Sequence, residues 1–275
     1  MSSELEIITD LAKQAGEILK KYHKTNLEIE YKQDEFDPVS IADREADELL
    51  RTGIAKAFPS DEILSEESSL RPDSYNGRVW MIDPLDDTKG YLAGRDTAGV
   101  MIGLLENGEP KLGLVYLPFR DQSYFGEKGQ GSYRVKNGKT IRLKVPNTTT
   151  IAGSRLVGRN VLAGDIRPID DAIAQLGFGP VITEGCIGAK IGLIASGEAD
   201  AFIHTNKKAG KWDTLAAELI LSEAGGVMCD VDGKPLDYTK IDSSWDRYFM
   251  AACTKELLNE MVEKLSEINT RTYSF

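Results

Sequence analysis

Apolar residues near the start of the chain recur at three- and four-residue steps: Leu5, Ile8, Leu11, Ala12, Ala15, Leu19 and Tyr22. That period lines one face of a helix, so the sequence predicts an amphipathic helix there. A second stripe, Ala42, Ala46, Leu49, Leu50 and Ile54, begins just after Ser40 and stops at Pro59, which cannot continue a helix. Two short apolar runs follow, at 63–64 and 79–82, and each leads into acidic residues; both read as buried strands. Between 99 and 143, apolar stretches are separated by Asn107-Gly108, Lys128-Gly129 and Asn137-Gly138. Such pairs supply the positive φ that tight hairpins need, so this region reads as an antiparallel meander.

Beyond Pro146-Asn147 the pattern alternates. Strands are expected at 150–152, 180–183 and 201–203, and helices at 169–176, 189–196 and from 213 to about 223. Gly197 and Gly225-Gly226 close the last two helices. A terminal helix carries Leu257, Leu258, Met261, Val262 and Leu265. The chain therefore divides into an α+β half, 1–146, and an α/β half, 147–275.

Composition narrows the function classes. The 275 residues are 41% hydrophobic and 28% charged, as in an ordinary globular protein. With 33 Lys+Arg against 44 Asp+Glu the net charge is −11, which argues against a nucleic-acid polymer as partner. Cys186, Cys229 and Cys253 show no paired spacing and read as buried thiols of a reducing compartment. Two histidines, His23 and His204, leave little for a His-rich zinc site. No run approaches the roughly 18 apolar residues of a membrane span, so the expectation is a cytoplasmic protein with no membrane partner.

Chemistry concentrates where apolar runs end in carboxylates. Trp80-Met81-Ile82-Asp83-Pro84-Leu85-Asp86-Asp87-Thr88-Lys89-Gly90 places three carboxylates directly after a strand. Like charges this close repel unless solvated or bound to cations, and oxygen clusters of this kind suit Mg²⁺. A solvated turn is the plainer alternative. Ser65-Glu66-Glu67 is a second such ending and could be a polar surface loop. Asp43, three residues after Ser40, matches a capping box, and Asp213 could serve as an ordinary N-cap.

Taken in order, D-P-V-S-x-A-D (37–43), S-E-E (65–67), D-P-L-D-D-T (83–88), W-D-x-x-A-A (212–217) and E-A-G-G (223–226) resemble the inositol monophosphatase superfamily. The resemblance spans the chain from its first helix to Gly226. It implies a layered α-β-α-β-α sandwich of the inositol monophosphatase/fructose-1,6-bisphosphatase type, an active site between the halves, and a Mg²⁺-dependent, often lithium-sensitive phosphomonoesterase using two or three ions. Carried over, Glu66, Asp83 and the Leu85 carbonyl hold one metal, and Asp83, Asp86 and Asp213 hold another. Thr88 and Asp43 orient and deprotonate the attacking water, and the backbone N–H groups of Asp87 and Thr88 meet the phosphate. The implied partner is a small phosphorylated metabolite; a homodimer is common in the family.

Residues after the motif threonine separate subfamilies. Thr88-Lys89-Gly90-Tyr91 is similar to the pattern of 3′(2′),5′-bisphosphate nucleotidases, as are Lys190 and the Ser154-Arg155 pair. Asn206 stands where inositol monophosphatases place a Glu on the ring hydroxyls. Together these imply hydrolysis of 3′-phosphoadenosine 5′-phosphate to AMP, with Asp87, Thr88, Lys89, Ser154, Arg155 and Lys190 on the substrate. Inositol phosphates or fructose 1,6-bisphosphate are the alternative substrates. Asp87 and Ser65 depart from glycines of the family pattern. Asp87 adds charge beside the phosphate and alone motivates the other class, a phosphometabolite-binding homologue without turnover.

Overall fold

The computed structural model describes residues 2–25, 29–31, 38–159, 168–206, 209–240, 242–245 and 247–272. Asp37 of the first motif lies outside them.

The first apolar stripe forms α1, Ser3–Tyr22, whose Ser2 Oγ accepts the Leu5 N–H at 3.2 Å. A short antiparallel pair, β1 (Ile29–Tyr31) and β2 (Pro38–Ser40), leads into α2, Ile41–Ala57. Then come β3 (Glu62–Ser65), β4 (Arg78–Asp86), the short α3 (Thr88–Leu92) and the meander β5 (Gly99–Glu106), β6 (Glu109–Leu117), β7 (Gln122–Glu127), β8 (Gly131–Lys136) and β9 (Lys139–Arg142). These seven strands form one sheet in chain order, antiparallel except where β3 runs parallel to β4. Asn107-Gly108 and Asn137-Gly138 have positive φ at both positions, the turn that matches hairpin twist.

The remaining elements are β10 (Leu156–Arg159), α4 (Pro168–Gln175), β11 (Val181–Glu184), α5 (Ile187–Ala195), β12 (Ala201–Ile203), α6 (Lys211–Glu223), β13 (Val227–Asp230), β14 (Phe249–Ala252) and α7 (Lys255–Thr272). Their sheet has the order β11-β10-β12-β14-β13, with β10 parallel to both neighbours and β14 antiparallel to both of its own. The strand expected at 150–152 is instead a turn, closed by Ser154 donating to the Ile151 carbonyl through both its N–H and Oγ. The apolar Ile151 is buried by packing rather than by pairing.

Five layers result. α1 and α2 cover one face of the seven-stranded sheet; α5 and α6 lie between the two sheets; α4 and α7 cover the outer face of the five-stranded sheet. This is the α-β-α-β-α sandwich. The middle helices approach closely because Gly113 in β6 lacks a side chain: a Cβ there would stand 2.5 Å from the Ala216 carbonyl of α6. Such intimacy fixes α6, and with it Asp213, against the sheet that carries Asp83.

Candidate active site

A regular strand would point Asp83 and Asp86, three residues apart, to opposite faces. The β4–β5 register breaks between them: Asp83 pairs with Met101 and Asp86 with Gly99, so three steps on β4 span two on β5. The extra residue is a bulge, and Pro84 within it has no N–H to give the ladder. The bulge returns both carboxylates to one side. The start of α6 adds Asp213, and carboxylate oxygens of all three lie within 4.8 Å of one another.

Helix starts hold the acidic groups in place. Asp213 is not the N-cap expected from the sequence, because α6 begins two residues earlier behind Gly210. From the third helical position its Oδ2 instead accepts the Gly210 N–H at 2.6 Å. Asp43 holds the same position in α2, its Oδ2 accepting from Ser40 N at 2.8 Å and Ser40 Oγ at 2.5 Å. Its Oδ1 faces Thr88 Oγ1 at 3.4 Å, and that hydroxyl also lies 3.0 Å from the Leu85 carbonyl. Asp83 accepts the Leu85 N–H at 2.9 Å and Asp86 the Gly188 N–H at 3.0 Å, the latter tying β4 to α5.

Electrostatics mark the cluster as short of positive charge. Burial, then the charges of Glu66, Asp213 and Asp86, pushes Asp83 well above the usual carboxylate range. Burial followed by Glu66 and Asp86 does the same to Asp213. Asp86 is raised by burial to about 7, although the Lys190 ammonium and the Gly188 N–H pull the other way. Glu66 thus acts on both Asp83 and Asp213 while standing outside the 4.8 Å group. Hard, anionic oxygen donors packed this closely fit Mg²⁺, which takes few carboxylates and leaves positions for water and phosphate.

Lys89 follows Thr88 in α3 and is half-buried. Lys190 is 5% exposed; its ammonium donates to the Gly185 carbonyl and lies 5.3 Å from the Phe202 ring centroid. Asp87 has φ of 74°, a left-handed conformation that Asp tolerates better than most residues. Its carboxylate accepts from Gly90 N at 3.2 Å and Thr97 Oγ1 at 2.6 Å, so it serves the local fold.

Ser154 and Arg155, expected on the substrate, are placed elsewhere. β10 is parallel to β11, with Leu156 level with Val181 and Arg159 level with Glu184. Gly185, next after Glu184, packs against Asp87 and Thr97. Residues preceding β10 therefore lie at the far end of the sheet from the acidic cluster. Arg155 is bound there to Asp200 through Nε at 2.8 Å, Nη2 at 3.0 Å and its backbone N–H at 2.7 Å.

One residue at the site's edge escaped sequence reasoning. Lys211, at the first position of α6, is completely buried, donates to the Tyr238 and Lys240 carbonyls, and sits 3.8 Å from the Tyr75 ring centroid. Burial lowers its pKa to about 8. A lysine beside the W-D motif carries no periodic or spacing signal, since its partners come from distant loops.

Comparisons with known proteins identify the family. A profile of the inositol monophosphatase family matches residues 1–269. The chain belongs to the inositol monophosphatase family. It is 29% identical over 256 residues to the 3′(2′),5′-bisphosphate nucleotidase CysQ of Aggregatibacter actinomycetemcomitans, covering 92% of this chain and 93% of that one. It is 32% identical over 238 residues to the histidinol-phosphatase of Chlorobaculum parvum, covering 85% and 88%. Among solved structures, the IMPase of Thermotoga maritima superposes with a TM-score of 0.82 at 23% identity over 98% of this chain and 99% of that one, a shared fold. The family member described here is accordingly a metal-dependent phosphatase. Among its described residues no helix is long and apolar enough to cross a membrane.

Proposed function

We propose that this phosphatase removes the 3′-phosphate of 3′-phosphoadenosine 5′-phosphate, releasing AMP and inorganic phosphate. The observation that carries the reaction class is the meeting of Asp83, Asp86 and Asp213 within 4.8 Å beside the Asp43–Thr88 pair. Glu66, Asp83 and the Leu85 carbonyl, with Asp86 and Asp213, would hold the ions. When bound, Mg²⁺ supplies the positive charge that phosphoryl oxygens, leaving oxygen and attacking water all require.

The chain's own groups do the rest. Thr88 Oγ1 has a single proton and two acceptors in reach, Leu85 O and Asp43 Oδ1. Turned toward Asp43, it donates there and offers a lone pair to an incoming water. The water's proton then passes through Thr88 to Asp43, whose other oxygen is fixed by Ser40. Attack forms a P–O bond to the water oxygen and breaks the bond to the ribose 3′ oxygen, which takes a proton from a solvent water and leaves as a hydroxyl, while Asp43 returns the proton it received to solvent.

Two features support the bisphosphate substrate. Lys89 directly follows the catalytic Thr88 in the Thr-Lys-Gly-Tyr stretch and offers a cation to a second anionic group. Asn206 replaces a carboxylate that would repel one. The likeness to CysQ over most of the chain points the same way.

The test is phosphate release from matched concentrations of 3′-phosphoadenosine 5′-phosphate, inositol 1-phosphate, fructose 1,6-bisphosphate and histidinol phosphate, with Mg²⁺ and with chelator. A preference of tenfold or more for the nucleotide in kcat/KM, abolished by chelator, is expected. Preference for any of the other three overturns the substrate and leaves the metal chemistry standing.

A further inference from the structure

Asp47 lies one helical turn beyond Asp43 in α2 and is 3% exposed. A carboxylate this deep is costly unless its oxygens are bonded. Both are: Ser65 Oγ donates to Oδ1, and Arg51 Nε donates to Oδ2 at 2.6 Å. Ser65 is the last residue of β3 and is fully buried. Its neighbour Glu66 donates its backbone N–H to the Ile82 carbonyl at 3.1 Å, immediately before Asp83.

β3 is only four residues long and forms an edge of the seven-stranded sheet, paired on one side by β4. An edge strand this short has few ladder bonds to hold its end, and Glu66 sits just past that end. The Ser65 side chain supplies a second anchor, directed away from the sheet and into α2. Through it, two carboxylates one turn apart on a single helix reach two limbs of the site: Asp43 reaches Thr88 after β4, and Asp47 reaches Ser65 at the end of β3. Where the family pattern has glycine at this place, no such bond can form.

We propose that the Asp47–Ser65 hydrogen bond fixes Glu66 beside Asp83 and Asp213, making Asp47 and Ser65 positioning residues for divalent-cation binding. The inference rests on the metal-dependent reading of the site given above. It makes the β3 end and the start of α2 one rigid unit, so that the cation and the water-orienting pair keep a common register. Partners of metal ligands at this remove commonly govern affinity by tenfold or more.

Isothermal titration of the metal-free full chain with MgCl₂ tests this without reference to turnover. Ser65→Ala and Asp47→Ala are expected to raise the Mg²⁺ dissociation constant about tenfold. Asp47→Asn keeps an acceptor oxygen for Ser65 and is expected to stay within about threefold of the wild type. Should Asp47→Ala fail to fold, Ser65→Ala, which removes one oxygen atom, carries the comparison. Alanine variants that melt lower yet bind Mg²⁺ within twofold of the wild type would overturn the positioning role and leave a purely structural bond. Absence of Mg²⁺ binding by the wild type itself would overturn the metal reading, a different failure.

Discussion

Asp43 and Asp213 hold equivalent places in two helices from opposite ends of the chain. Each is the third residue of its helix, and each ties one oxygen back to the N–H of the residue preceding it, Ser40 or Gly210. One oxygen of each is spent on the helix start; the other oxygen of Asp43 faces Thr88, and Asp213 joins Asp83 and Asp86. Anchoring of this kind holds a carboxylate at fixed distance with little freedom to lose on binding, while the helix N-terminus favours its negative charge. The capping reading and the functional reading of these residues are therefore not rivals. In the proposed mechanism, the cap is how the working oxygen is aimed.

The crowded carboxylates make an unusual stability prediction. Burial raises Asp83, Asp86 and Asp213 in the fold, so the fold gains from their neutral forms below their unfolded values and loses that gain as pH rises toward their folded values. Metal-free protein should therefore become less stable through the range up to about 7, where Asp86 titrates. Mg²⁺ binds the ionised forms, so its stabilising effect should grow with pH. At 100 times the dissociation constant that effect is about 2.7 kcal/mol, or several degrees of melting temperature. Asp83→Asn removes one buried charge while keeping an acceptor for Leu85 N. It is expected to melt above the metal-free wild type and to ignore added Mg²⁺. Thermal melts at pH 6 and 8 check both statements; an equal Mg²⁺ response at the two pH values would contradict the first.

Asp87 offers a separate test. Its carboxylate is bonded to Gly90 N and Thr97 Oγ1, and its backbone is left-handed. Asp87→Gly loses both bonds but relieves the backbone, so its net effect on stability should be within about 0.5 kcal/mol. Asp87→Ala loses the bonds and keeps the strain, and should cost about 1–2 kcal/mol. Because the carboxylate is already engaged by Gly90 N and Thr97 Oγ1, substrate KM should stay within about twofold in Asp87→Gly. Urea melts and steady-state kinetics on the two variants separate these effects; a large KM change in Asp87→Gly would mean that its charge reaches the substrate.

Much of the scaffold was legible before any coordinates. The 3.6-residue stripes of α1 and α2 and the Asn-Gly turns of the meander are local signals, and the structure follows them closely. β13 and β14 left no such trace. Phe249-Met250-Ala251-Ala252 is buried on both faces, so it shows no alternation. The clustering of Asp83 with Asp86 was legible as a motif, but its cause was not, since a bulge depends on pairing with Met101 and Gly99. Ser154-Arg155 shows the opposite failure: a short pattern match sits at the wrong end of β10, and strand direction is invisible in two residues. Lys211 and Asp47 were missed because their partners, Tyr238 and Ser65, are long-range.

Arg155 can be tested directly. Asp200 has a side chain 3% exposed and receives three N–H groups from Arg155. Arg155→Ala takes two of them away and leaves the nearly buried carboxylate with the backbone N–H of residue 155 and the Thr148 hydroxyl, which should cost about 1–2 kcal/mol after allowance for the 36% exposure of the arginine. Arg155→Lys restores charge without the fork and should recover only part of this. Neither should move KM for any substrate by more than about twofold. Denaturant melts alongside kinetics decide it, and a selective rise in KM for a bisphosphate would return Arg155 to the substrate.

Glu218 gives the cleanest pH signature, since it lies outside the metal cluster. It accepts the Tyr238 hydroxyl at 2.6 Å, and burial raises its pKa from 4.5 to about 7 despite that bond. A carboxyl raised in the fold contributes stability that is whole below 4.5 and is lost as pH climbs through 7. At about 1.4 kcal/mol per pKa unit the loss amounts to roughly 2–3 kcal/mol, allowing for some solvent access. Glu218→Gln keeps an acceptor for Tyr238 and cannot ionise, so it should be as stable as the wild type at pH 4.5 and more stable by that margin at pH 8. Taking the difference between the two proteins at constant Mg²⁺ cancels the titration of Asp83, Asp86 and Asp213. Parallel stability curves from pH 4.5 to 8 would show that Glu218 titrates alike in the folded and the unfolded chain, and that water reaches it past Tyr238.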